Sequence, residues 1–352
     1  MVRARIEAVG SYLPAQEVST AELLAQLSVE SPIDLEKVSG VRHRRRCGVD
    51  ADGQREDSFT VALAAARSAL DNSGYAASDL DVIISCSITR IHGDDFWVEP
   101  SFALLLRNEL GAAGAIHFDV SNACAGMLTG VLVLERMIRT GIVKRGLVVS
   151  GEYITPISDT AVREMSEKYD PQFASLTVGD GAAAVVLDDR GTADEGIDYI
   201  ELNTSAAFAQ LCLGMPSDRS AGIALYTDNR AMHNESRYLL WTNRQRDFLA
   251  ERNSTFEAEG YDHVIHHQFS GPAVELINKI AEREFDAAVP PGLAVLDRYG
   301  NTASTSHFVV LHDALKQRRI AAGDKLLLVP AASGVVAGFL SVTLGELQVC
   351  DA

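Results

Sequence analysis

Phe118-Asp119-Val120-Ser121-Asn122-Ala123-Cys124-Ala125-Gly126-Met127 is the stretch on which the reading of this chain turns. A strand-like run ends in small and polar residues, a cysteine follows at once, and roughly four turns of almost wholly apolar helix come next. A helix apolar on all sides is normally buried. Its first turn leaves backbone N–H groups unpaired and carries the positive end of the helix dipole, so a thiol there is expected to ionise more readily. The same residues also suit a bland role, because a sharp strand-to-helix turn wants small side chains and cysteine is a small hydrophobe. By itself the stretch leaves Cys124 open between buried filler and nucleophile.

The chain has 352 residues, 47% hydrophobic and 22% charged, enough for two domains or two intimately packed halves. No apolar run approaches the roughly 20 residues of a membrane span, and Met1 to Arg5 does not open a secretory signal, which predicts a cytoplasmic protein without a membrane partner. The five cysteines are odd in number and lack CxxC spacing, so neither a disulfide framework nor a zinc site is expected. A formal charge of −17 argues against nucleic acid and anionic membranes as partners. One dense basic run stands out, Val41-Arg42-His43-Arg44-Arg45-Arg46. It reads either as a solvated face or as a receiving surface for a phosphate-bearing carrier or coenzyme.

Outward from Cys124, strands alternate with helices, the mark of an α/β fold. Residues 6–13 read as a first strand, a helix starts at Thr20 with Ser19 or Thr20 as its cap, and an Ala-rich amphipathic helix spans 58–74, closed by Gly74. Residues 82–86 and 146–151 read as buried strands, a short helix runs to Leu110, and Gly179-Asp180-Gly181 opens a small-residue strand at 182–187. From about 204 to 262 the pattern loosens into scattered aromatics and a polar helix near 232–254. That segment is either a cap or substrate channel or an ordinary connecting excursion.

Beyond it the first half is repeated. Leu296-Asp297-Arg298-Tyr299-Gly300-Asn301-Thr302 sits like Phe118 to Cys124, each followed by an apolar helix, a linker with glycine and lysine, and an apolar strand. Both halves close on a strand of small and branched residues, 182–187 and 339–344. The predicted division is 1–190 and 191–352. Two copies of one βα layer about a pseudo-twofold axis would bring matching turns face to face, so Cys124 and Asn301 are expected to meet. The second half also places Val264-Ile265-His266-His267-Gln268 at a strand end. Adjacent residues on an extended chain point opposite ways, so the two histidines do not suit one metal ion, and no metal site is expected.

Cys124, His267 and Asn301 at strand ends of a duplicated fold resemble the thiolase superfamily, specifically a condensing enzyme of the β-ketoacyl-ACP synthase III type, and the likeness runs nearly end to end. The residues that carry it are Asp119-Val120-Ser121-Asn122-Ala123-Cys124-Ala125-Gly126, His266-His267-Gln268 for the family's Pro-His-Gln, Tyr299-Gly300-Asn301-Thr302, and Gly179-Asp180-Gly181-Ala182. The resemblance implies a five-layer αβαβα thiolase-like fold and a homodimer. It implies that Cys124 takes an acyl group as a thioester while His267 and Asn301 donate to the second thioester's carbonyl as it becomes an enolate. Removing one such donor typically costs about 3 kcal/mol of transition-state stabilisation. The acyl oxyanion is expected at the Cys124 backbone N–H and one from Ser333 or Gly334. No cofactor is implied beyond thioesters carried on acyl carrier protein or CoA.

Four departures from the family refine this. Its glycine-rich C-terminal loop is thinned to Pro330-Ala331-Ala332-Ser333-Gly334, and its His-Gln-Ala-Asn becomes His267-Gln268-Phe269-Ser270. The tryptophan and arginine that often grip CoA align with Asp34 and Val38, and a further family arginine with Pro272. A carrier-protein-bound donor, docking through Arg42, Arg44, Arg45 and Arg46, is therefore expected rather than acyl-CoA priming of fatty acids. Finally, Glu99 stands before Pro100-Ser101 where many relatives place a bulky apolar residue that crosses the dimer. Head-to-head condensing relatives place a glutamate in that region as the base that takes the α-proton of a donor with no carboxyl group to lose. The expected function is Claisen condensation of two acyl thioesters through acyl-Cys124 in polyketide or other specialised metabolism, with Glu99 of the partner as base. A decarboxylative reaction with a malonyl thioester, acyl transfer to an alcohol or amine, and an idle partner subunit stand as alternatives.

Overall fold

The computed structural model describes residues 2–28, 34–167 and 169–350. In the first half, β1 (Arg5–Tyr12), β2 (Val82–Ser85), β3 (Ile116–Asp119), β4 (Arg145–Glu152) and β5 (Gly181–Asp188) form a five-stranded sheet ordered β1-β5-β4-β2-β3. In the second half, β6 (Gly196–Thr204), β7 (His263–His266), β8 (Lys325–Val329) and β9 (Val336–Thr343) are ordered β6-β9-β8-β7. The strand senses repeat: β5 runs antiparallel to β1 and β4, as β9 does to β6 and β8, while β2 with β4 and β7 with β8 are parallel. The place of β3 is held in the second sheet by a single parallel bridge from Val264 to Gly292. β5 is buried at every residue, which is why it reads as an unbroken small and apolar run.

Helices cover both outer faces and fill the middle. α1 (Ser58–Asp71) and α2 (Phe102–Leu110) lie outside the first sheet. α3 (Gly126–Arg139) lies between the sheets, α4 (Glu235–Glu251) and α5 (Gly271–Phe285) flank the outside of the second, and α6 (Ser306–Lys316) joins α3 in the middle. Met127, Leu128, Val131 and Leu134 of α3 share one core with Phe308, Val309 and Leu311 of α6 and with strands of both sheets. Each such side chain contributes about 1.5–3 kcal/mol of burial. The five-layer αβαβα arrangement follows directly from two helices that are apolar because nothing around them is water.

Three sequence expectations need correction. α1 stops at Asp71 rather than running to Gly74. The amide of Asn72 donates to the Val9 carbonyl (2.8 Å) and its oxygen accepts from the Cys350 N–H (2.8 Å), which ties off the last turn. Leu296–Tyr299 is one helical turn, not a strand end. The internal repeat also keeps a different register. The short 3-10 turns Ala123–Ala125 and Ala303–Thr305 are the matching elements, each opening on an alanine in the left-handed region (φ 46° and 53°). Cys124 therefore corresponds to Ser304 rather than Thr302, a shift that a pattern of apolar and polar letters does not reveal. Within the loosened segment, α4 is the outer-layer counterpart of α1. The part before it, with the hairpin of Cys212–Pro216 and Ile223–Thr227 and the helix Asn229–Met232, contributes a roof to the site, joined by Tyr238 and Trp241 of α4.

Candidate active site

Cys124 sits in the 3-10 turn just ahead of α3. The turn is held by its own neighbours: the Asn122 amide donates to Thr129 Oγ1 (2.8 Å), and that hydroxyl donates to the Ala125 carbonyl (2.8 Å). The carboxylate of Asp119, at the end of β3, accepts the Phe102 and Ala103 N–H groups (both 2.9 Å) and so pins the strand end to the start of α2. Ile154, Ile157, Val178 and Ala303 pack on one side of Cys124, and Ala332 and Val336 on another. Burial pushes the thiol above its ordinary pKa, with Cys212 and Glu152 adding to the rise. Burial among apolar walls works against the expected easy ionisation at a helix start, and α3 itself begins two residues later, at Gly126.

His267 follows β7 directly, and its N–H donates to the Val329 carbonyl of β8 (3.0 Å). Gln268 clamps the turn: its Oε1 accepts from Val295 and Leu296 N–H (3.1 and 3.2 Å) and its amide donates to the His266 carbonyl (2.8 Å). His266 turns away, its Nε2 lying 2.8 Å from Asn278 Oδ1, so the two imidazoles diverge. The His267 ring lies between Phe269 and His307, with centroids 5.9 Å away on each side. Burial, helped by His307, pulls its pKa down to about 3, and its Nδ1 is buried without a partner among the described residues. The ring is therefore neutral, and Nε2 is the nitrogen available to the site.

Asn301 is placed by a backbone crossing. Its N–H donates to the Thr177 carbonyl (2.9 Å), and its own carbonyl accepts from Gly179 N–H (3.0 Å). A Cβ on Gly179 would overlap the Tyr299 carbonyl oxygen, and one on Gly300 (φ +68°) would lie 2.7 Å from the Thr177 carbonyl oxygen. The two glycine motifs exist because two backbones cross there in contact. Asn301 Oδ1 accepts from Ala303 N–H (2.9 Å), which leaves the amide Nδ2 as the donor to the site. Asp180 braces the crossing, its carboxylate accepting from Cys47, Ile154 and Thr155 N–H groups and the Thr155 hydroxyl at 2.7–2.8 Å. Burial nevertheless raises its pKa to about 6.

Cys124, His267 and Asn301 share the wall of one cavity of about 1150 Å³, together with Ala332, Ser333 and the roof of the second half. The open side of Cys124 faces this cavity. Ser333 donates from Oγ to Cys212 Sγ (2.9 Å) and is on the wall; Gly334 (φ +84°) turns the chain behind it and is not among the lining residues. Glu99 lies elsewhere, exposed between Val98 and Pro100. The arginine run is mostly not a surface. Arg44 is 1% exposed, with its Nη2 donating to the Leu176 carbonyl (2.9 Å) and its Cβ against the glycine crossing. Arg45 pairs with Glu17 and Arg46 with Asp159, leaving Arg42 as the exposed member. The docking role expected of Arg44 is ruled out by its burial, since alternate residues of the strand His43–Arg46 face inward.

Sequence reading passed over four residues here. His307, on the buried α6, donates through Nε2 to Val329 O (3.1 Å) and faces His267; a histidine inside an apolar helix was its signal. Glu152, fully buried at the end of β4, accepts from Ser304 Oγ (2.5 Å), Thr89 Oγ1 (2.8 Å) and two N–H groups, beneath the meeting turns. Phe269 and Cys212 line the cavity; the sequence marked Phe269 only as a departure from the family's His-Gln-Ala-Asn and gave Cys212 no motif.

A cysteine turn, a neutral imidazole and an oriented amide on one cavity of a duplicated five-layer fold are the marks of a thiolase-fold condensing enzyme. The family model for 3-oxoacyl-[acyl-carrier-protein (ACP)] synthase III matches residues 118–206, and that for its C-terminal part matches residues 252–344. The chain is 30% identical to a β-ketoacyl-[acyl-carrier-protein] synthase III of Alkalilimnicola ehrlichii over 93% of its length and 95% of the relative's. It is 28% identical to that of Solibacter usitatus over 96% and 98%. Its fold is similar to the crystal structure of the Pseudomonas aeruginosa 3-oxoacyl-(acyl carrier protein) synthase III (TM-score 0.79, 23% identity, 98% and 99% covered). It is equally similar to Xanthomonas campestris OleA with bound lauric acid and lauroyl-CoA (TM-score 0.79, 21% identity, 97% and 99% covered). The chain belongs to the 3-oxoacyl-ACP synthase III family and is an acyltransferase of the C–C bond-forming, β-ketoacyl synthase type. Among the described residues no helix is long and apolar enough to cross a membrane.

Proposed function

We propose that this enzyme condenses two acyl thioesters without requiring a carboxylated donor, as a homodimer in specialised metabolism. Cys124 attacks the first thioester and expels the carrier thiol. The Cys124 N–H and the N–H at Ser333 hold the oxyanion of that step. The second thioester then places its carbonyl oxygen between His267 Nε2–H and Asn301 Nδ2, which steady the enolate that attacks the acyl-Cys124 carbonyl. The supporting observation is the single cavity that gathers a thiol and two neutral donors from opposite halves. Neutral donors stabilise a developing anion without being quenched as a resting ion pair would be, and the depressed pKa of His267 keeps it neutral throughout the working range. Substrates would arrive on acyl carrier protein or CoA, with Arg42 the exposed cation of the basic run.

Glu99 serves as the base only if a second copy brings it to the cavity. Its surroundings favour such contact: Phe96 (48% exposed) and Val98 (70%) flank it, and Ile116 (51%) is exposed on β3, the edge strand of the first sheet. Exposed apolar side chains and an open sheet edge are what a dimer covers. The cavity, at about 1150 Å³, exceeds the usual range for one small ligand. OleA, similar in fold, holds lauric acid and lauroyl-CoA, and long-chain thioesters are accordingly the first donors to try.

The test has two arms. Intact-mass spectrometry with acyl donors shows an acyl adduct that Cys124→Ala abolishes. Carbon-labelled non-carboxylated donors then give a new C–C bond that Glu99→Gln abolishes while the adduct persists. Full condensation in Glu99→Gln removes the base assignment, product from malonyl-type donors alone favours a decarboxylative reaction, and no adduct with any donor removes the function altogether.

A further inference from the structure

Four aromatic rings stand in a row through the site. His233, next to the roof helix, stacks on Phe269 (5.5 Å, 3° between planes); Phe269 stacks on His267 (5.9 Å, 18°), and His267 on His307 (5.9 Å, 27°). His233 is itself held by the Tyr238 hydroxyl at 2.8 Å. Phe269 is thus held by two imidazoles, one of them the ring assigned to the enolate. The family's His-Gln-Ala-Asn would leave only a methyl group at this position.

Behind Phe269 lies a second, much smaller cavity of about 60 Å³, roofed by α4 and floored by the second sheet. Its lining is mostly apolar, with Ile277, Ala281 and Phe285 of α5 and Val289, Leu327 and Phe339, though Gln245 and Asn278 also reach it. It and the large cavity share Tyr238, Trp241, His267, Phe269 and Ala331 as common walls. Among these, Phe269 stacks against the assigned enolate donor and lines both spaces.

We propose that Phe269 is the specificity-determining partition of the condensation, limiting the hydrocarbon carried on the α-carbon of the second thioester by closing the pocket beneath α4. This rests on the assignment of His267 and Asn301 to that thioester. With the carbonyl oxygen held there and the α-carbon directed at Cys124, an α-substituent that leaves along the His267 side meets Phe269, which lines both cavities there. An apolar pocket favours a hydrocarbon over a charged group, and one methylene admitted or refused in such a pocket is worth roughly 10- to 200-fold in selectivity.

The test uses the full-length enzyme preloaded on Cys124 with one fixed acyl group, offered butanoyl and octanoyl thioesters as second substrates. Phe269→Ala opens the partition, and the octanoyl-to-butanoyl ratio of kcat/KM rises at least about tenfold. Adding Ala281→Leu, which fills the pocket from α5, returns the ratio toward that of the parent. Phe269→Leu, closer in volume, gives a smaller rise and keeps the measurement available if the alanine variant is poorly folded. A ratio unchanged in both Phe269 variants while product still forms overturns the proposal, as does a rise that Ala281→Leu fails to reverse. Failure of the parent enzyme to join any two thioesters would instead sink the enolate assignment itself.

Discussion

Gly179→Ala tests whether the backbone crossing is what places Asn301. The new methyl would overlap the Tyr299 carbonyl oxygen and come within 3.0 Å of Arg44 Cβ, which is itself locked in the core. The two segments must part by roughly 1 Å to restore ordinary contact. That strains two buried hydrogen bonds, Gly179 N–H to Asn301 O (3.0 Å) and Asn301 N–H to Thr177 O (2.9 Å). Each is worth about 1 kcal/mol net, and overpacking adds about 1–3 kcal/mol, for a total of about 3–5 kcal/mol. The same displacement carries the Asn301 amide off its position, and a misplacement near 1 Å costs about 100-fold in rate. Urea unfolding reads the first quantity; condensation rate against Cys124 acylation, both followed by mass spectrometry, reads the second. The variant should acylate at nearly the parental rate and condense about 100-fold more slowly. Parental stability, or equal losses in acylation and condensation, would refute the crossing as the device that positions the amide.

Two further outcomes follow from the buried titratable groups. Because burial raises the Cys124 thiol, its alkylation by iodoacetamide, followed by peptide mass spectrometry, should climb about tenfold per pH unit through pH 9 without levelling; a plateau below pH 8 would restore the easily ionised thiol. Stability should fall in acid. His266, His307 and His312 are each held down to about 4 and His267 to about 3 by burial. Their unfolded forms take up protons near 6.5, so the stability they lend is present above that pH and is lost as pH falls from about 6.5 toward 4. Asp180, raised to about 6, and Glu152, also raised by burial, oppose this over part of the window, two groups against the four histidines. The urea midpoint should drop between pH 7.5 and 5, and less steeply in His312→Gln, which removes the ring that contacts Ser11 Oγ at 2.8 Å; a flat midpoint would contradict the assignment.

The site was legible where chemistry depends on residue type in local order. The cysteine turn, the strand-end histidine and the Gly-Asn pair each announced themselves, as did two halves with the same strand and helix sequence. What could not be read was register and orientation. Nothing in the letters of Leu296 to Thr302 shows that a helical turn displaces the repeat by two residues, so that Ser304 and not Thr302 mirrors Cys124. Nothing in the basic run shows that Arg44 points inward beneath the glycine crossing while Arg42 stays outside.

The amino-acid order alone determined the duplicated α/β fold, the family and the three groups that converge, because hydrophobic period, turn chemistry and nucleophile type are properties of neighbouring residues. Tertiary structure alone decided that burial raises the Cys124 thiol, that His267 is neutral, and that Phe269 lines two cavities. Those properties come from the solvent each group has lost and from rings and walls contributed by segments far away in the chain. Burial and stacking belong to the folded arrangement, and no local stretch encodes them.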